Sequence, residues 1–235
     1  GISYKILPSA KDYKRIGEKD TGLNTGGMGA ISPVPFADRF FIEKVEREIV
    51  KPTVAGLREE NIDYKGFIFI GLMVENGNPK VIEYNVRMGD PETEVVIPRI
   101  KSDLLNLFKG IGNGSFSEID FDISDDVAAT VMLVSGGYPE EYKKGVEMTG
   151  LENIDGSLLF HAGTKHDGNK ITTNGGRVLS ITSFGKDIKE AINKSLNNAE
   201  KINFEGKYYR KDIGLDLLWS VLFSIFSMFK HFISP

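Results

Sequence analysis

The chain contains no cysteine. That excludes disulfides, thiolate metal sites and a cysteine nucleophile, and it fits a reducing compartment, so cytoplasm is the expected location. Long runs of one charge are also missing. The 29 basic and 33 acidic residues leave a net charge of −4, so no extended basic face for nucleic acid is expected, although local basic residues could still bind a small phosphate. There is no internal repeat, no low-complexity tract, and no basic start followed by an apolar stretch and a small-residue cleavage site. The sequence opens at Gly1 inside what reads as a strand, Ile2 to Leu7, so the start is expected to be a cut. His161 and His166 lack a carboxylate or second histidine at ligand spacing and read as core or surface residues. Trp219 and the aromatics near it read as packing groups.

What is present is an ordinary globular composition, 40% hydrophobic and 26% charged over 235 residues, enough for one large domain or two smaller ones. Pro8 to Asp38 is dense in Gly, Asp, Asn and Thr and reads as a long functional loop that buries no regular element. From Asp38, a plausible N-cap, Phe40, Phe41, Val45 and Ile49 recur at helical spacing, and Pro52 should kink that helix or start another. Gly66 to Val74 and Lys80 to Arg87 read as a β-hairpin joined by Glu75-Asn76-Gly77-Asn78-Pro79. Thr93 to Phe108 reads as helical with an interruption near Pro98. Gly110 to Asp126, rich in Gly, Ser and Asp, is the expected domain boundary. Beyond it, Val127–Val134, Leu158–Gly163 and Arg177–Ser183 read as strands, Asp167-Gly168-Asn169 as a hairpin turn, and Lys186–Ile202 as a helix with Ile188, Ala191, Ile192, Ala199 and Ile202 on one side. The fold class is therefore α+β.

Alternation along Lys80–Arg87 places Val81, Glu83, Asn85 and Arg87 on one face and Ile82, Tyr84 and Val86 on the other. A carboxylate and an amide oxygen two residues apart can both reach a hard cation such as Mg²⁺, and an arginine further along can meet a phosphate or carboxylate bidentately. The same pattern also describes the solvated face of an antiparallel hairpin. Gly89-Asp90-Pro91-Glu92 alone is a turn. Lys19-Asp20-Thr21-Gly22 and Asn24-Thr25-Gly26-Gly27-Met28-Gly29 supply glycines that let a backbone approach an anion, but they have neither the ending of a P-loop nor the spacing of a dinucleotide fingerprint.

Taken together and in order, Lys14 to Pro33, Gly66 to Met73 and Pro79 to Glu94 resemble the phosphoribosylamine–glycine ligase family. Ser135-Gly136-Gly137-Tyr138-Pro139, Phe160 to Lys165, Thr173 to Leu179 and Tyr209 to Gly214 resemble that family's C-terminal domain, so the likeness runs from about Ser3 to Gly214. The resemblance implies the C-terminal part of an ATP-grasp domain over 1–112 and the family's small C-terminal domain over 113–214. It further implies ligation of glycine to 5-phosphoribosylamine with ATP in purine biosynthesis, through glycyl phosphate. Mg²⁺ or Mn²⁺ is implied at Glu83 and Asn85. The implied substrate side comprises Lys19, Asp20, Asn24, Thr25, Gly26, Gly27, Gly29, Arg87, Gly89, Asp90 and Glu92. Arg87, for an anionic group, and Asp90, for the amine or ribose hydroxyls as Asp20 is, are the catalytic candidates. The Gly26–Gly29 backbone is the phosphate candidate.

Three departures qualify that likeness. The family's preceding substrate domain, phosphate-covering loop and adenine hinge are not in this sequence, so the chain is expected to be inactive by itself. Met88 stands where the family usually has Leu or Phe, a mild apolar exchange. Residues 215–235 extend past the family's usual end; Leu217 to Ile233 is apolar over about 17 residues, short of the ~20 of a membrane span, with Ser220, Ser224, Ser227 and His231 as a polar stripe. A docking helix, a membrane-associated helix and sequence foreign to the family are all compatible with it. Another ATP-grasp carboxylate–amine ligase and a non-catalytic binding or complementing module are the alternatives in function. Oligomeric state is not legible.

Overall fold

A computed structural model of the chain describes residues 3–218. The apolar tail beyond, with Trp219, lies outside the described residues. In chain order the N-terminal elements are β1 (Lys11–Asp12), β2 (Arg15–Gly17), β3 (Thr21–Asn24), β4 (Gly29–Ser32), α1 (Arg39–Val45), α2 (Lys51–Glu59), β5 (Phe69–Glu75) and β6 (Asn78–Asn85). They are followed by α3 (Thr93–Val96), α4 (Leu104–Asn113), β7 (Val127–Val134), β8 (Ser157–His161), β9 (Thr164–Asp167), β10 (Lys170–Thr173), β11 (Arg177–Gly185) and α5 (Ile188–Lys201). The chain is α+β, and its strand pairings are antiparallel.

These elements fall into two compact units that interleave along the sequence. Among the described residues the larger combines Ala10–Pro33, Asp90–Arg99 and 125–218; the smaller combines 3–9 with Val34–Gly89 and Ile100–Ser124.

The larger unit is built on a five-stranded sheet in the order β1-β4-β7-β11-β8. Val127–Val134 is apolar almost throughout, and both of its alternating sets of side chains are buried from Ala128 on. Such a strand needs cover on two faces; α3 and α5 pack against β7 and β11. Asp187 caps α5 by accepting the Glu190 N–H at 2.8 Å, and Ile188, Ala191, Ile192 and Ala199 form the buried stripe that the sequence predicts. Most polar groups inside this layer are paired, although the buried Ser180 hydroxyl is not: the Thr182 hydroxyl donates to Thr130 Oγ1 at 2.9 Å and Ser195 donates to the Ala129 carbonyl at 2.9 Å.

One expectation fails here. Pro8–Asp38 is not one irregular loop, because β4 lies inside the sheet with all four residues buried. The glycine that suggests a loop is what admits the strand: a Cβ on Gly29 would sit 2.6 Å from the Thr130 carbonyl.

In the smaller unit Asp38 caps α1 as expected, accepting the Phe41 N–H at 2.8 Å. A π-helical turn, Glu46–Val50, joins α1 to α2 without a break in the helical backbone, and Pro52, which has no N–H to donate, falls directly after that turn at the start of α2. Val45 and Ile49 are buried, but Phe40 is 79% exposed. The β5–β6 hairpin closes through Asn76 and Gly77, both at positive φ, the two-residue turn that Asn-Gly favours. The expected strand at Ile2–Leu7 is absent over Ser3–Leu7; among the described residues no strand pairs with that segment, and an unpaired strand has no ladder to hold it. The helical region after Thr93 is two helices, α3 and α4, the second capped by Asp103 and ended by Gly114 in the left-handed conformation.

Candidate functional site

In the smaller unit the hairpin carries Glu83 and Asn85. Asn85 pairs with Phe69, Glu83 with Gly71, and Val81 with Leu72, so Ile82 is an extra residue on β6. Adjacent residues of β5 point to opposite faces, and their partners do the same. Glu83 and Asn85 therefore share a face, as expected, whereas Val81 is turned to the other by the bulge. Gly71 makes room for the acid: a Cβ there would meet Glu83 Cγ at 2.9 Å. Arg87 lies past the end of β6, exposed, with Nη1 donating to the Met88 carbonyl at 2.8 Å. The donor set suits a hard divalent cation, a carboxylate and an amide oxygen beside each other. Among the described residues no group of three or more His, Cys, Asp or Glu could hold a metal, so a cation at this pair would rely on water and nucleotide oxygens for the rest of its shell.

Gly89 ends the second stretch of the smaller unit, and the larger unit holds the remaining candidates in two clusters. In the first, Arg177 at the start of β11 forks onto Asp90, Nη1 to Oδ1 at 2.8 Å and Nη2 to Oδ2 at 2.9 Å, and Nη1 also donates to the Gly26 carbonyl at 2.7 Å. One guanidinium thus joins the Gly26–Gly27 segment to the Asp90–Glu92 segment. Gly27 completes the junction. It sits at φ +115°, and a Cβ there would lie 2.3 Å from Pro91 Cδ, so only glycine fits. The amides of this loop are engaged within the protein: Gly26 N–H donates to the Tyr138 hydroxyl at 2.9 Å, Gly27 N–H to Thr25 Oγ1 at 2.9 Å, and Met28 N–H to the Tyr13 carbonyl at 2.8 Å. A phosphate held by these backbone donors, as the sequence suggests, would have to displace those acceptors. Gly29 belongs to the buried sheet. In the second cluster Lys19 and Asp20 follow β2 on an exposed turn, and Asn24 ends β3, opposite Arg15.

Two acids beside Asp90 are electrostatically unusual. Glu92 is buried, and burial, with the neighbouring Asp12 charge, raises its carboxyl above the ordinary range. Glu94 is pushed up to about 7, first by burial and then by the Asp90 carboxylate. Each has a buried oxygen, Oε2, without a hydrogen-bond partner. Sequence reasoning singles out Asp90 and Glu92 but gives no role to Glu94, Tyr138, Arg177 or Arg210. The signal for the arginines is indirect, a charged residue at the edge of an apolar strand or strand-like segment.

Solved structures share this architecture. Urea carboxylase of Kluyveromyces lactis, at 13% identity, superposes with a TM-score of 0.58 over 80% of this chain and 16% of its own. At that identity the likeness concerns the fold alone. A phosphoribosylamine–glycine ligase from Thermotoga maritima superposes with a TM-score of 0.81 at 40% identity, covering 90% of this chain and 52% of that one. The sequence model for the phosphoribosylglycinamide synthetase ATP-grasp (A) domain matches residues 1–93, and the model for the C domain of the same family matches residues 128–216. The chain belongs to the phosphoribosylglycinamide synthetase family. Among curated relatives, the phosphoribosylamine–glycine ligase of Chlorobaculum tepidum is 44% identical over 93% of this chain and 52% of its own length. The ligase of Fusobacterium nucleatum is 45% identical over 89% and 50%. The chain thus spans about half the length of the curated relatives it matches. No helix among the described residues is long and apolar enough to cross a membrane.

Proposed function

We propose that this chain is the metal-ligand and substrate-side part of a phosphoribosylamine–glycine ligase, joining glycine to 5-phosphoribosylamine at the expense of ATP. The observation that carries the reading is the pairing of Glu83 and Asn85 on one face of β6, at the end of a hairpin whose Gly71 leaves space for the acid, in a chain matched in order by both family domains. Mg²⁺ or Mn²⁺ at these two oxygens would neutralise nucleotide phosphate charge. In the proposed reaction a glycine carboxylate oxygen bonds to the γ-phosphorus of ATP and ADP leaves. The amine nitrogen of phosphoribosylamine then bonds to the glycyl carbon, phosphate leaves, and the nitrogen gives up a proton. Little covalent work falls to the protein in such a sequence; positioning and charge compensation do most of it. Arg87 would meet an anionic group, and Asp20, Asp90 and Glu92, with the Lys19–Gly27 segment, would line the side that takes the sugar amine.

The test is made in a full-length ligase carrying these residues. Glu83→Ala and Asn85→Leu should each lower ATP-dependent formation of glycinamide ribonucleotide by roughly 10²-fold or more. Rates within a few-fold of the parent enzyme would remove the metal role.

A further inference from the structure

The largest fully buried side chain is a cation, Arg210, 1% exposed. Its guanidinium forks onto Asp212, Nε to Oδ1 and Nη2 to Oδ2, both at 2.8 Å. The remaining nitrogen, Nη1, donates to Asp20 Oδ1 at 2.8 Å and to the Arg15 carbonyl at 3.1 Å, while the group lies 5.3 Å from the centre of the buried Tyr13 ring. Neighbouring residues tie the same two segments together. Lys19 N–H donates to Asp212 Oδ2 at 2.7 Å, Lys211 N–H to Glu18 Oε1 at 3.3 Å, and the Tyr208 hydroxyl to the Ile16 carbonyl at 3.0 Å.

The segment so held has an unusual backbone. Lys19 and Asp20 stand at φ 56° and 54°, two successive residues in the left-handed region that side chains rarely adopt. Such a turn persists where its surroundings over-determine it, and it is found at functional sites. Both side chains remain open: Lys19 is exposed and the Asp20 carboxyl, although bonded to Arg210 through one oxygen, is 61% exposed. A lysine at position 210 would keep the charge but could not fork onto Asp212 while reaching Asp20 and a carbonyl.

We propose that Arg210, acting with Asp212, is a positioning residue: it fixes the Lys19–Asp20 turn in the one conformation that offers an ammonium and a free carboxylate oxygen to a phosphorylated sugar amine. This rests on the reading that the turn lies on the substrate side. The ligand chemistry follows from the pair, a cation for phosphate and an acceptor for hydroxyl or amine. If loosening the latch leaves the competent turn populated a tenth of the time, apparent affinity for that substrate falls tenfold while ATP, bound elsewhere, is indifferent.

The experiment uses a full-length ligase carrying these residues, with Arg210→Lys, and with Asp212→Asn to carry the test should the first variant not fold. The expected result is a KM for phosphoribosylamine raised roughly tenfold with the KM for ATP unchanged. Amide exchange should quicken over residues 16–24 and stay as in the parent over 127–134. Faster exchange over 16–24 with an unaltered KM for phosphoribosylamine would overturn the proposal, as would equal losses for both substrates with faster exchange in β7, the mark of a purely structural role. Lys19→Ala separates the two levels of inference. If it leaves the KM for phosphoribosylamine unchanged, the substrate-side reading of the turn is wrong; if it raises that KM and the latch variants do not, only the role of Arg210 fails.

Discussion

Asp20 and Asp90, two acids that stand out in the motifs, are each gripped by an arginine far along the chain, Arg210 at a separation of 190 residues and Arg177 at 87. Both carboxylates are therefore preset in orientation, and Asp90 in particular offers a substrate only the lone pairs that a bidentate guanidinium leaves. Among the described residues Arg87 has no such carboxylate. Its exposed guanidinium donates to the next residue's carbonyl, so Arg87→Ala in a full-length ligase should raise the KM for glycine or phosphoribosylamine about tenfold or more, as expected for a lost charge-assisted bond, with little change for ATP; lost ATP binding with normal amine kinetics would contradict the assignment. Glu94 makes a different prediction. Its folded pKa of about 7 exceeds the ordinary 4.5, so its stabilising contribution is complete below about 4.5 and is lost as pH rises through 7. Glu94→Gln should remove that dependence, flattening the stability profile between pH 5 and 8 by on the order of 1–2 kcal/mol, readable in thermal melts; an unchanged slope would show that the site does not hold the proton. The acids were legible in the sequence because they sit in short contiguous motifs. Their arginine partners were not, since nothing local marks Arg177 or Arg210 as the other half of a pair.

At the level of elements, glycines carry two opposite meanings that the sequence does not separate. Gly26 and Gly27 make a turn pressed against Pro91, whereas Gly29 opens a strand pressed against β7. Reading all three as loop hides β4, while the cap at Asp38, the Asn76-Gly77 turn and the buried stripe of α5 are legible because each is set by neighbours within a few residues; the caps at Asp103 and Asp187, equally local, emerge only with the structure. The bulge at Ile82 was invisible for the converse reason: it depends on the register against β5. Gly27→Ala tests the turn. With a Cβ 2.3 Å from Pro91 Cδ and φ at +115°, it should destabilise the larger unit by about 1–3 kcal/mol and, in a full-length ligase, impair amine-substrate use. A variant with parental melting temperature and kinetics would show that the two loops tolerate separation.

For the whole molecule, the order of the motifs gave the family and the α+β class, but not the interleaving, in which Ala10–Pro33 and Asp90–Arg99 pack with the C-terminal residues. Sheet order is a long-range property, and a linear reading cannot supply it. On and just past β6, Ile82, Tyr84 and Val86 are 61%, 49% and 73% exposed, apolar side chains left open to solvent. The most direct test joins this chain in one polypeptide to the preceding half of the Thermotoga maritima ligase and measures glycinamide ribonucleotide formed from glycine, phosphoribosylamine and ATP. The account predicts product from the joined protein, none from the 235-residue chain alone, and none when Glu83→Ala is introduced. Turnover by the chain alone, or product that survives Glu83→Ala, would contradict it.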